Sequence, residues 1–138
     1  MKRVIEAGGE RLAVYLPAAS WAEGLSFFSE DGDFVQVGVW GYDRGMKLQP
    51  HIHNEVRREI TRTQEVVFVR SGKVAASIFD EEGNLVERLE LDSGDALILL
   101  KGGHGYEILE DGTQVLEVKN GPYPGAEVDR RRLAWPKP

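Results

Sequence analysis

Apolar and polar positions in this chain change over in short runs, with no stretch of three-and-four spacing long enough to predict a sizeable helix. β-Branched and aromatic residues cluster, and Gly, Asp or Asn interrupts them roughly every 8 to 15 residues, the spacing of an all-β sandwich or barrel. Phe34–Tyr42 follows the turn Asp31-Gly32-Asp33 and reads as a strand. Glu65–Arg70 and Lys73–Phe79, joined through Ser71-Gly72, read as a hairpin with a glycine turn. Further strands are expected at Arg11–Leu16, Leu85–Leu91, the apolar run Ala96–Leu100, Tyr106–Leu109 and Thr113–Lys119. A single helical turn capped by Ser20 is expected around Ser20–Glu23. The tail from Gly121, rich in Pro and Arg, is expected to lie over the sheet or to be loosely ordered. With 138 residues, no repeat and no linker, the chain reads as one domain spanning 1–138 with its core at about 34–120.

Composition narrows the chemistry. There is no cysteine, so disulfides, thiolate metal sites and cysteine nucleophiles are excluded, and any metal must sit on nitrogen and oxygen ligands. Lys and Arg number 17 against 23 Asp and Glu, a net charge of -6, which argues against a phosphate-backbone binder and hence against nucleic acid. No apolar stretch reaches signal-peptide or membrane-span length, so no membrane partner is expected and the reading is cytoplasmic.

Only three histidines are present, so their positions carry weight. In His51-Ile52-His53, period-2 alternation on a strand would point both imidazoles the same way, about 7 Å apart, where they can converge on one ion. His104 follows Gly102-Gly103, where a backbone without side chains can approach a site closely.

These residues resemble the cupin superfamily. Its first motif has a Gly, five intervening residues and His-x-His, then a short gap, a Glu, six intervening residues and a Gly. Gly45 with His51-Ile52-His53, and Glu65 with Gly72, keep both spacings. The chain departs between them, where Asn54 through Gln64 insert 11 residues in place of the family's three or four. In the second motif Gly94 fits the start, Leu100 stands where the family has Pro, and His104 arrives one residue early. The resemblance covers residues 45–108. It implies a double-stranded β-helix, the jelly roll or cupin barrel, and a metal site on His51, His53, Glu65 and His104. Glu55 and Glu59 also lie in the gap; Glu65 is preferred because it starts a strand on which Val67 and Val69 share its inward face. Glu55 and Glu59 sit among Arg57, Arg58 and Arg62, a stretch expected to be an exposed extended loop that could cover the site.

The cofactor implied is one divalent transition metal ion, with Fe(II) favoured and Mn, Ni, Zn or Cu also suited to imidazole and carboxylate ligands. The function implied is a metal-dependent enzyme, an oxidoreductase such as a dioxygenase or an isomerase, that oxygenates, decarboxylates or isomerises a small polar organic substrate. The alternatives are a non-catalytic ligand-binding cupin and a metal-independent cupin of the sugar-nucleotide epimerase or isomerase type. Tyr106 should share the interior face of His104 and is the candidate catalytic acid or orienting hydroxyl. Glu117 and Lys119 share one face of the last strand, where an inward pair could serve as acid and base, with an outward ion pair the simpler expectation. Trp40, Phe68, Phe79 and Leu97 are expected in the core or cavity wall, and Arg44, Arg57, Arg58 and Arg62 at the mouth. A homodimer is a further expectation.

Overall fold

The computed structural model describes residues 1–137 and is all-β, with 42% of the chain in strand and 5% in helix. Ten strands run β1 (Arg3–Ala7), β2 (Glu10–Leu16), β3 (Gly24–Phe27), β4 (Gly38–Gly41), β5 (Glu65–Ser71), β6 (Lys73–Phe79), β7 (Leu85–Asp92), β8 (Ala96–Leu99), β9 (Gly103–Ile108) and β10 (Gln114–Lys119). A 3₁₀ turn (Ala18–Ser20) and a short helix α1 (Ala126–Asp129) complete the elements. No helix among the described residues is long and apolar enough to cross a membrane.

The strands form three antiparallel sheets: β1-β2-β8-β5-β10, β7-β6-β9, and the separate pair β3-β4. They do not close into a barrel. From β5 onward the chain passes back and forth between the first two sheets, and only β6 and β7 are consecutive strands paired to each other. The hairpin expected through Ser71-Gly72 is therefore corrected. β5 pairs with β8 and β10, β6 pairs with β7 and β9, and Gly72 carries the chain from one sheet to the other. Gly72 has φ +85°, and a Cβ there would lie 2.2 Å from Thr113 Oγ1, so both backbone and space demand glycine.

The main core fills the gap between the two sheets. Leu12, Val67, Val69, Leu97 and Leu99 from the larger sheet meet Val74, Ala76, Ile78, Leu89 and Leu91 from the smaller one. The opposite face of the larger sheet is apolar too: Val14, Leu16, Ala96 and Ile98 are covered by Val35 and Leu100, with Phe28, Val37, Val66 and Phe68 packed around them. Strand β8 is consequently buried on both faces, which accounts for its unbroken apolar run.

Two buried polar side chains tie the irregular segments down. Asp95 accepts from Tyr15 Oη (3.0 Å), Asp92 N (2.8 Å) and Ala18 N (2.8 Å). Burial beside this carboxylate raises the Tyr15 pKa to about 12. Gln64 Oε1 accepts from Phe34 N and Val35 N (2.7 and 3.0 Å), and its Nε2 donates to Leu100 O (3.3 Å). The strand expected over Phe34–Tyr42 shrinks to Gly38–Gly41 for this reason, since the first amides are claimed by a side chain instead of a neighbouring strand. The helical turn also sits earlier than expected, at Ala18–Ser20 after Pro17, and Ser20 does not cap it.

Candidate functional site

Glu65 opens β5, and the alternation of that strand sends Glu65, Val67 and Val69 inward while Val66 and Phe68 face the second apolar layer. This leaves the Glu65 carboxylate buried, at 5% exposure, between the sheets. A buried charge needs partners, and β9 supplies them from the opposite sheet. His104 Nε2 lies 2.9 Å from Glu65 Oε1, and Tyr106 Oη donates to the same oxygen at 3.4 Å. His104 and Tyr106 are two residues apart on one strand, so they share a face, with ring centroids 5.5 Å apart. Glu65, His104 and Tyr106 share one side as the alternation in the sequence predicts, with Glu65 buried, Tyr106 half-buried and His104 at the exposed rim.

β10 completes the inner face. Lys119 stands opposite Glu65 and Glu117 opposite Val67, so both side chains fall on the Glu65 side of the sheet. They pair at 3.7 Å as expected, but on the inner face, and they remain partly exposed because β10 is an edge strand. Burial pushes the Glu65 pKa up, yet the hydrogen bond from His104, the charge of His104 and the charge of Lys119 more than offset it, and the net shift is downward. Tyr106 is shifted strongly upward by burial and by the negative charges of Glu65 and Glu117, so its phenol holds its proton throughout the neutral range.

With its proton on Nε2, His104 donates to Glu65 and keeps a lone pair on Nδ1. A dyad of this kind accepts a proton on the imidazole and stabilises the resulting charge with the carboxylate. The same spacing has a second meaning. Two donors bound side by side to one ion at about 2.1 Å stand about 3 Å apart, so a 2.9 Å oxygen-to-nitrogen separation fits adjacent ligands of a metal.

The other two expected ligands are elsewhere. His51 and His53 lie on an irregular segment, and every residue from 42 to 63 is exposed. The placement of His51-Ile52-His53 on a strand is corrected: no ladder pairs with this stretch. The two rings are nevertheless 4.9 Å apart, and His51 Nδ1 sits 3.1 Å from Gln49 O, a backbone contact of the kind that commonly holds a ligating imidazole. The four expected ligands thus stand as two separate pairs, Glu65 with His104 and His51 with His53. Among the described residues no group of three or more His, Asp or Glu side chains converges as a metal cage.

Glu55, Glu59, Arg57 and Arg58 lie in the exposed stretch as expected, and Arg62 reaches Glu81 at 3.9 Å. Phe79 and Leu97 are core residues, whereas Trp40, expected in the core or cavity wall, is 60% exposed and is corrected to a surface residue. A cleft of about 130 Å³ lined by Thr63, Lys119, Asn120 and Tyr123 adjoins the site through Lys119, whose Nζ lies 5.8 Å from the Tyr123 ring centre.

The tail bears on the site from behind. Gly103 and Gly105 alternate with His104 and Tyr106 on β9, and a Cβ on them would meet Leu133 at 2.6 Å and Trp135 at 2.8 Å. Leu133 and Trp135 therefore occupy the space that side chains at these positions would fill, as expected of a tail lying over the sheet. Sequence reasoning missed this contact, although the Gly-x-Gly alternation around His104 announces a close approach.

No family model, curated protein or solved structure matches this chain.

Proposed function

We propose that the protein is a metal-dependent enzyme of cupin type, built on a jelly roll of which the two facing sheets are the larger part, and that it acts on a small polar organic molecule. The observation that carries this reading is the convergence of Glu65 and His104 from opposite sheets at a spacing suited to adjacent ligands, with Tyr106 beside them. His51 and His53 would complete the ligand set from the exposed segment. A bound divalent ion would supply Lewis acidity and a place for substrate oxygens. The chain's own residues supply the rest: Tyr106 holds a proton at Oη for donation or orientation, Lys119 offers a positive charge at the adjoining cleft, and the apolar floor of Val67, Val69 and Leu97 keeps water from behind the carboxylate.

The direct hydrogen bond between His104 and Glu65 favours a second reading, in which the dyad and Tyr106 perform acid–base chemistry without metal, as in an isomerase. Metal content measured after reconstitution with Fe(II), Mn(II), Ni(II) or Zn(II) separates the two. The first reading expects one ion per chain, lost in His104→Ala and Glu65→Gln and reduced in His51→Ala and His53→Ala. Stoichiometric metal that survives His104→Ala, or no uptake by the wild type, overturns it.

A further inference from the structure

The pair β3-β4 belongs to neither main sheet, and two isolated strands are marginal unless one face is covered. One face is covered: Val39 is 8% exposed, and Ser26, its partner across the ladder, points the same way. The other face carries Leu25 opposite Trp40, with Phe27 next to Gly38 on the same side. Trp40 is continued by Tyr42 (ring centroids 6.2 Å), and Met46 and Leu48 close round them to form an open concavity of about 520 Å³. These six side chains, Leu25, Phe27, Trp40, Tyr42, Met46 and Leu48, are between 39% and 60% exposed.

Counting all their atoms, these six residues present on the order of 600 Å². This stands at the top of the roughly 300–600 Å² of the largest patch on an ordinary monomer and is the larger part of the roughly 800 Å² that each partner contributes to a standard interface. Its rim holds both signs of charge, Asp43 beside Arg44 with Lys47 between Met46 and Leu48. Two copies related by a two-fold axis present that rim to each other reversed, so acid can meet base, while the apolar centre is complementary to itself. An anionic bilayer is disfavoured by the net charge of -6.

We propose that the β3-β4 face and the root of the following segment, centred on Trp40, form a homodimer interface, with a second copy of this chain as its occupant. The interface includes Met46 and Leu48, three residues before His51, so the partner also anchors the start of the segment that bears His51 and His53. This proposal does not depend on a metal.

Sedimentation velocity on the full chain at about 50 μM is the test. The wild type is expected at twice the 15.4 kDa of one chain. Trp40→Lys and Leu25→Lys are expected at the monomer mass, with a dissociation constant raised about 30-fold or more and an unchanged far-UV circular dichroism spectrum. Leu116→Lys, on the exposed side of β10, serves as the control and stays dimeric. A monomeric wild type overturns the proposal, and its co-flotation with phosphatidylglycerol vesicles would assign the face to lipid instead. Dimers that persist in both folded variants, or that are lost in Leu116→Lys, also overturn it. Should Trp40→Lys fail to fold, Met46→Lys takes its place with the same expected outcome.

Discussion

Two regions of this molecule carry histidines, and they are built on opposite principles. His104 sits on a strand paired along its length with β6, its imidazole held by a buried carboxylate and its flanking glycines covered by the tail. His51 and His53 sit on a stretch where no backbone group joins a ladder and Ile52 between them is 91% exposed. The first region has its geometry fixed by packing; the second has the right side chains without a framework of its own. A chemical group is only as well placed as the backbone beneath it, and here half of the proposed ligand set is set by the fold while the other half depends on what the segment meets.

The sharpest way to test this contrast is to remove equal side chains from the two regions. Leu97→Ala, in the middle of β8 and fully buried, is expected to lower unfolding free energy by about 2–5 kcal/mol, whereas Ile52→Ala stays within about 0.5 kcal/mol of wild type; urea titration of both variants reads the difference. Asp95→Ala strands two backbone amides and the Tyr15 hydroxyl, and is expected to cost about 3 kcal/mol in the same titration. Glu65→Gln removes a charged acceptor from His104 and Tyr106 and is expected to cost about 1–2 kcal/mol near neutral pH.

The Glu65 change also alters the pH profile. The folded pKa of Glu65 lies below its ordinary value, so its contribution to stability is present above the unfolded pKa of about 4.5 and is lost as pH falls through the folded value. Unfolding followed from pH 6 to pH 3 should therefore steepen less in Glu65→Gln than in wild type. Tyr106 has the opposite sign: its folded pKa is raised, so burial of the neutral phenol stabilises below pH about 10 and is lost above it as the unfolded chain ionises. Tyr106→Phe should retain more of its stability at pH 11 than wild type does. The smallest stability change is expected from His51→Ala and His53→Ala, within about 0.5 kcal/mol, together with impaired metal uptake. A large loss of stability in either would show that the exposed segment is packed in solution and would dissolve the contrast.

Strands were legible wherever alternation coincided with burial. The unbroken Ala96–Leu100 run gave β8, and the spacing Glu65, Val67, Val69 gave the inward face on which the carboxylate lies. Pairing was not legible, because the choice of neighbour is made by residues distant in sequence: Ser71-Gly72 has the composition of a hairpin turn, but Thr113 closing over Gly72 makes it a crossing between sheets. β1 carries a weaker signal than its neighbours, and only Gly8-Gly9 between Ala7 and Glu10, a two-residue hairpin turn with both φ values positive, marks it in the sequence. The partners of Glu65 followed from the period of β9, since His104 and Tyr106 must share a face. The position of His51 and His53 did not follow from their spacing, because a two-residue period fixes direction only once a strand has something to pair with.

The bare backbone of Gly103 and Gly105 has an optical consequence. Of the three tryptophans, Trp21 meets Phe68 at a tilt with ring centroids 6.1 Å apart and Trp40 stands on the β3-β4 face, whereas Trp135 rests on the strand that carries His104 and Tyr106. In a protein reduced to that one indole by Trp21→Phe and Trp40→Phe, its emission wavelength reports whether the tail stays seated on the back of this strand, read without any added dye.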